Sequence, residues 1–208
     1  EVSVYGEKPV KWKLNWTKGG GGETACGPFR IDFAVVPGQH RFSKLPKKEY
    51  AQIIRKLDKI GALYVYKDGI RVLPYGDADF DFLEIEKRRT KGASYYFFSS
   101  RRMFGSIQIN TDDNPDLTEK AGREGLRRNK AYREFRAILK NFLIVAARDF
   151  FAESGEFSEP YERIRRELDR KQKLLAAQRK ERSRVQNKLR KELDEFFSRL
   201  NRQLQLSE

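Results

Sequence analysis

Residues 63–73 read Leu63-Tyr64-Val65-Tyr66-Lys67-Asp68-Gly69-Ile70-Arg71-Val72-Leu73 and predict a β-hairpin in the middle of the chain. Two runs of β-branched and aromatic residues flank an Asp-Gly pair. That pair is the strongest short-range signal for a two-residue hairpin turn, because both of its residues tolerate a positive φ. We therefore predict one strand at 62–66 and a returning strand at 70–74.

Further elements are predicted on both sides of this hairpin. Alternating or aromatic runs indicate strands, and they cover residues 10–16, 29–35, 95–98 and 104–109. Apolar residues at helical spacing predict two amphipathic helices, which cover residues 49–60 and 129–152. The expected fold class is α+β. We expect residues 1–155 to form one domain, with a mixed sheet of about five strands and helices on one face.

The tail, residues 156–208, differs in composition from what precedes it. It carries 15 basic and 10 acidic side chains, a net charge of +5, and it has three aromatic residues after Phe157. Leucines and other apolar residues recur at steps of three, four or seven, with a polar interruption at 178–184. This pattern predicts a long basic helix that pairs as a coiled coil at two places, or a helical hairpin.

Composition excludes several classes of protein. The 208 residues carry 44 Lys and Arg against 30 acidic residues, a net charge of +14, yet 15 Phe and 9 Tyr are too many for a disordered chain. No apolar run is long enough to span a membrane, so no membrane partner is expected. The single Cys26 excludes a disulfide framework and favours a cytoplasmic location. Met103 is the one methionine, so we expect the chain to be a fragment of a longer protein.

Local motifs for catalysis or metal binding are weak. Cys26 and His40 form a nucleophilic pair only if two distant loops meet. The acidic clusters at 77–81 and 112–116 lack calcium-loop spacing, and no metal site is predicted. The run Gly19–Gly22 is not followed by a Lys-Ser/Thr pair, so we interpret it as a hairpin tip or a native or engineered linker rather than a phosphate loop.

Basic clusters are stronger candidates for binding. Cationic side chains can contact the phosphates of a nucleic acid without any sequence motif. The alternative is that a run of charged residues simply forms a solvent-exposed surface. The predicted nucleic-acid-binding residues are Arg88, Arg89, Lys91, Arg127 and Arg128.

Three segments of the region 61–151 carry a resemblance to a known superfamily. They are Leu63 to Gly76 with its Asp-Gly hairpin, Arg101 to Ile109 with a Gly-x-Ile-x-Ile strand, and Asn114 to Gly125 before a helix, with the pair Arg88-Arg89 between the first two. In this order they resemble the transducer half of the GHKL superfamily of ATPases, which includes gyrase, heat-shock chaperones, histidine kinases and MutL. The bacterial MORC-like ATPases of defence systems are the nearest branch.

The resemblance implies a function in a larger ATPase. Lys120 matches the lysine that reaches the γ-phosphate of ATP, which makes it the catalytic candidate, and Arg123 is a second candidate phosphate contact. The full-length protein would use ATP with Mg²⁺. The Glu, Asn and Asp-x-Gly-x-Gly signatures of the nucleotide-binding half are absent from the sequence, so we expect the fragment alone to bind no cofactor and to be inactive.

The expected role is to couple ATP binding and hydrolysis in an N-terminal domain to a conformational change. That change would in turn control contact with the dimer partner or with a nucleic acid. Its expected partners are that missing ATP-binding domain, a second copy in a homodimer, and a nucleic acid. The alternative is a non-enzymatic module with a basic coiled coil that binds a nucleic acid or a protein.

Overall fold

The computed structural model describes residues 1–14, 23–92, 96–122 and 124–205. The predicted α+β class is confirmed. The elements are β1 (Arg30–Val35), α1 (Lys47–Ile60), β2 (Ala62–Lys67), β3 (Ile70–Arg71), α2 (Ile85–Arg89), β4 (Met103–Ile109), α3 (Lys130–Phe151) and α4 (Glu159–Gln205). The run Gly19–Gly22 and the candidate Arg123 lie outside the described residues.

The four strands form one mixed sheet in the order β1-β4-β2-β3. Gly105 of β4 pairs with Phe33 of β1 in an antiparallel ladder and with Leu63 of β2 in a parallel one. The hairpin joins β2 to β3 as predicted, and its turn residues Asp68 and Gly69 have φ values of 50° and 80°. Both residues therefore adopt the left-handed conformation that a tight hairpin turn requires.

The described residues form four strands in this sheet instead of the predicted five or so, and residues 10–14 account for part of the difference. They form no strand beyond a single bridge between Val10 and Val2, and the rest of the predicted segment, 15–16, is not described. Trp12 instead packs against α3, with its ring 5.4 Å from that of Phe150 and its Nε1–H donating to Asp149. The alternating pattern here reflects packing on a helix.

The strand predicted at 95–98 is also not formed over the described residues 96–98. The side chains of Phe97 and Phe98 join the core without a ladder of backbone hydrogen bonds. Phe97 stacks on Phe151 with 4.0 Å between ring centroids, and Phe98 makes an edge contact with Phe33. The predicted strand 70–74 is shortened to β3, Ile70–Arg71.

The core lies between the sheet and α3. The side chains of Val65, Met103, Ile107 and Phe135 are fully buried in it. Ring contacts join the sheet to α3, because the rings of Phe33 in β1 and Phe142 in α3 lie 6.0 Å apart. Phe29, just before β1, lies 5.0 Å from Phe135 of α3. This packing fixes the position of the connection that runs from β4 to α3, which carries the candidate site.

By its contacts the chain divides into two units, Glu1–Arg165 and Arg166–Glu208, whereas the sequence predicts a boundary after residue 155. The first unit includes the start of α4, where Ile164 is buried and Tyr161 packs against Phe151. The second unit is helical through Gln205, so α4 is one continuous helix of 47 residues rather than a helical hairpin. No helix in the described part of the chain is long and apolar enough to cross a membrane.

Candidate functional site

Lys120 lies on a short loop, residues 118–127, between β4 and α3. We call this segment the Lys120 loop. The Lys120 N–H donates to the Gly125 carbonyl at 2.9 Å, and the Arg127 N–H donates to the Thr118 carbonyl at 2.8 Å. These bonds flank a bridge between Glu119 and Leu126. These bonds hold the backbone at Lys120 and at Arg127, while the Lys120 side chain is exposed.

The inner side of the loop rests on Tyr75, which is almost fully buried. The Tyr75 hydroxyl accepts a hydrogen bond of 3.1 Å from the Leu126 N–H. Gly125 has a φ of 96°, and a Cβ there would lie 3.3 Å from the Tyr75 hydroxyl. A side chain at residue 125 would be strained by its backbone conformation and crowded by Tyr75.

Both ends of the loop are tied to regular elements. Lys67, the last residue of β2, donates from Nζ to the Leu117 carbonyl at 2.8 Å. The Asn129 Nδ2 donates to the Asp116 carbonyl at 2.6 Å, and its Oδ1 accepts from the Tyr132 N–H as the N-cap of α3. These bonds join the residues that flank the Lys120 loop to β2 and to the start of α3.

Asn114 is a structural residue of this site that the sequence did not single out. It is fully buried, and its Nδ2 donates to the carbonyls of Cys26 and Pro28 at 2.6 and 2.7 Å. Its Oδ1 accepts from the Asn110 N–H at 2.9 Å. Asn114 thus joins the segment before β1 to the segment before the Lys120 loop. Cys26 and Pro28 lie 88 and 86 positions away in sequence, so no local pattern reveals these two bonds.

The predicted nucleic-acid-binding residues differ in their exposure and in their contacts. Arg127 and Arg128 are exposed beside the Lys120 loop, and Lys91 is exposed after α2. Arg88 donates to the Leu83 carbonyl at 2.7 Å, and burial lowers the pKa of its guanidinium. Arg89 donates to the Phe97 carbonyl at 3.4 Å. Two of the five candidates therefore bond to the chain's own backbone.

The other candidates for chemistry also have structural contacts. Cys26 is fully buried, and burial raises the pKa of its thiol. The His40 Nε2 lies 3.1 Å from the Leu45 carbonyl oxygen, and no hydrogen bond joins it to Cys26 in the described part of the chain. Within the same residues no three His, Cys, Asp or Glu side chains group to hold a metal ion.

The arrangement around Lys120 suits contact with one phosphate group. An exposed ammonium is a point charge with three donors, and a fixed backbone limits the positions it can reach.

Comparison with protein-family models, with curated proteins and with solved structures finds no match to this chain.

Proposed function

We propose that this chain is the transducer and coiled-coil part of a GHKL-type, MORC-like ATPase. In this proposal Lys120 contacts the γ-phosphate of ATP that is bound, with Mg²⁺, in a separate nucleotide-binding domain. The observation that carries the proposal is the exposed Lys120 side chain on a loop whose backbone is bonded on both sides. A cation held in this way responds to the presence of the phosphate, because charge-assisted hydrogen bonds form only while that phosphate remains.

A chain of contacts supports a relay from this loop to the helical tail. Asn129 bonds to the segment before the loop and caps α3. At the far end of α3, the Phe151 ring lies 5.1 Å from that of Tyr161, which belongs to the first turn of α4. A displacement of the loop on phosphate release would thus reach the start of α4 through one rigid helix.

The tail supplies a surface for a second copy. Large apolar side chains of α4 that lie half exposed to solvent recur at helical spacing, and they are Val185, Leu189, Leu193 and Phe196. Apolar residues at such spacing are buried when two helices pair. We therefore propose a homodimer joined through this stripe, with ATP turnover coupled to changes in the dimer.

The alternative function is a non-enzymatic module that binds a nucleic acid. It is favoured by Lys91, Arg127 and Arg128, which are exposed and make no ion pair within the described residues. Binding through such cations would weaken steeply with salt, since it releases counterions from the phosphates. DNA binding by the chain at two salt concentrations, together with ATP turnover in the full-length protein, separates the two functions.

The direct test combines the chain with the nucleotide-binding domain. We expect the complete protein to turn over ATP at least about tenfold faster than that domain alone, because the lysine supplies electrostatic stabilisation of the transferred phosphate. The 208 residues alone are expected to hydrolyse no ATP. Hydrolysis by the 208 residues alone, or equal turnover with and without them, would contradict the proposal.

A further inference from the structure

A basic cavity of about 680 Å³ lies between the segment 80–84 and the first half of α3. We call it the α3 cavity. Four cationic side chains line it, and they are Arg128, Arg133, Arg136 and Lys140. Two carboxylates, Asp81 and Glu84, face the same space. The cations therefore outnumber the carboxylates two to one.

The Asp81 carboxylate is already bonded to the backbone. Its oxygens accept hydrogen bonds from the N–H groups of Ile85 and Glu86 at 2.7 and 2.9 Å. Asp81 thereby holds the start of α2, and no ion pair joins it to a cation in the described part of the chain. Glu84 is left as the counter-charge for the four cations of the cavity.

Glu84 lies between two of these cations. One carboxylate oxygen is 3.3 Å from the Arg136 guanidinium, and the other accepts a hydrogen bond from Lys140. The backbone of Glu84 has φ 54° and ψ 38°, a left-handed conformation that is uncommon for a glutamate. Strained backbone of this kind persists where surrounding contacts hold it, and it concentrates at functional positions.

Arg128 and Arg133 pair with no carboxylate among the residues that the structure describes. Arg133 donates to the backbone carbonyl of Arg128 at 3.1 Å, and within the described residues neither guanidinium pairs with a carboxylate. Both side chains are exposed at the cavity, so their remaining donors are free for a ligand. Guanidinium groups match the geometry of phosphate oxygens.

An aromatic wall completes the cavity. Phe80, Phe82 and Tyr132 line it beside the cations, and Phe82 and Tyr132 are buried. Apolar surface beside a charge reduces screening by water and strengthens its attraction to an oppositely charged ligand. The cavity thus combines unpaired cations with a wall of low polarity.

We propose that the α3 cavity binds phosphate groups, with Arg128 and Arg133 as the primary contacts. The ligand competes with the Glu84 carboxylate for Arg136 and Lys140. Such phosphates belong either to a nucleic-acid strand or to a small polyphosphate, and both sources share the same chemistry. The site is independent of Lys120 and of the proposed ATPase function.

Titration of the 208-residue chain with pyrophosphate and with a thymidine oligonucleotide tests the proposal. Whichever probe binds the wild-type chain, we expect the double variant Arg128→Gln/Arg133→Gln to bind it at least about tenfold more weakly than the wild type does. The control Arg55→Gln/Lys56→Gln removes the same charge from the exposed face of α1 and should change binding less than about twofold. Glu84→Gln removes the competing charge and should tighten binding about threefold.

The probes also identify the source of the phosphate. Binding of pyrophosphate that depends on Arg128 and Arg133 indicates a small polyphosphate, and binding of the oligonucleotide alone indicates a strand. The proposal is overturned if neither probe binds, or if the α1 control weakens binding as much as the cavity variant. Weaker binding by Glu84→Gln would also contradict it. Lys120→Ala should leave this binding unchanged, so failure here is distinct from failure of the ATPase proposal.

Discussion

The Tyr75 hydroxyl accepts a 3.1 Å hydrogen bond from the backbone N–H of Leu126, a residue 51 positions further along the chain. Burial raises the pKa of the Tyr75 phenol, so the hydroxyl stays protonated at neutral pH. The bond joins the segment that follows β3 to the inner side of the Lys120 loop. The Tyr75 hydroxyl therefore adds a long-range bond to those that hold the Lys120 loop.

Replacing Tyr75 with phenylalanine should lower the free energy of unfolding by about 1–2 kcal/mol, because it leaves the buried Leu126 N–H without a partner. The Lys120 and Arg127 amides of the loop should also exchange with deuterium faster. Urea unfolding and hydrogen exchange measure the two effects. Tyr66→Phe is the matched control, since no hydrogen bond of its hydroxyl occurs among the described residues. Unchanged exchange at Lys120 in Tyr75→Phe would show that this bond does not hold the loop.

Asn114→Ala should destabilise the fold more than a typical polar substitution. It removes three hydrogen bonds from a fully buried side chain and leaves the Cys26 and Pro28 carbonyls unpaired. We expect the free energy of unfolding to fall by about 2–4 kcal/mol in urea titrations. Asp112→Asn, an exposed change in the same connection, should have little effect. Equal stability of the two variants would rule out the bridging role of Asn114.

Glu84 should make the fold sensitive to acid. The hydrogen bond from Lys140, with Arg136 nearby, lowers the pKa of its carboxyl from the usual 4.5 to about 2. Because the folded pKa lies below the unfolded one, the ionised carboxylate stabilises the fold above pH 4.5. That stability is lost as the pH falls towards 2.

The variant Glu84→Gln removes this part of the acid sensitivity. The side chain is about one third exposed, so we expect a loss of at most about 1 kcal/mol at neutral pH. Urea unfolding of the wild type and of Glu84→Gln at about pH 7 and about pH 3 measures the difference in their free energies of unfolding. The difference between them should shrink at the lower pH. A difference that stays constant across this range would argue against the ion pairs of Glu84.

The apolar stripe of α4 should mediate self-association. Leu189→Asp/Leu193→Asp places two charges at the proposed helix pair and should convert a dimer into a monomer in sedimentation equilibrium. Ser183→Asp/Asn187→Asp adds the same charges at exposed polar positions of the helix and should leave the dimer intact. A wild-type chain that sediments as a monomer, or a control that dissociates equally, would exclude this interface.

Local signals made much of the fold predictable from sequence. The hairpin follows from Asp68 and Gly69, which adopt the positive φ values that their residue types tolerate. Helix α3 differs from its predicted range by one residue at each end, because its apolar stripe and its Asn129 cap are local features. In such segments the residues nearby in sequence determine the conformation of the backbone.

The failures arise where contacts between distant residues decide the structure. Trp12 and Phe97 occur in runs typical of strands, yet each packs against α3 rather than pairing in the sheet. The position of Lys120 as a candidate came from resemblance, whereas the roles of Tyr75 and Asn114 follow from bonds to residues 51 and 88 positions away. The spacing of residues along the sequence does not predict such long-range hydrogen bonds.

The most direct test of the central proposal is ATP turnover by the Lys120→Ala variant of the full-length protein. We expect turnover to fall at least about tenfold. The free energy of unfolding should change by less than about 0.5 kcal/mol, because the side chain is exposed and makes no ion pair within the described residues. Lys48→Ala, at an exposed position of α1, should retain full turnover. Turnover by Lys120→Ala equal to that of the wild type would contradict the phosphate-sensing role of Lys120.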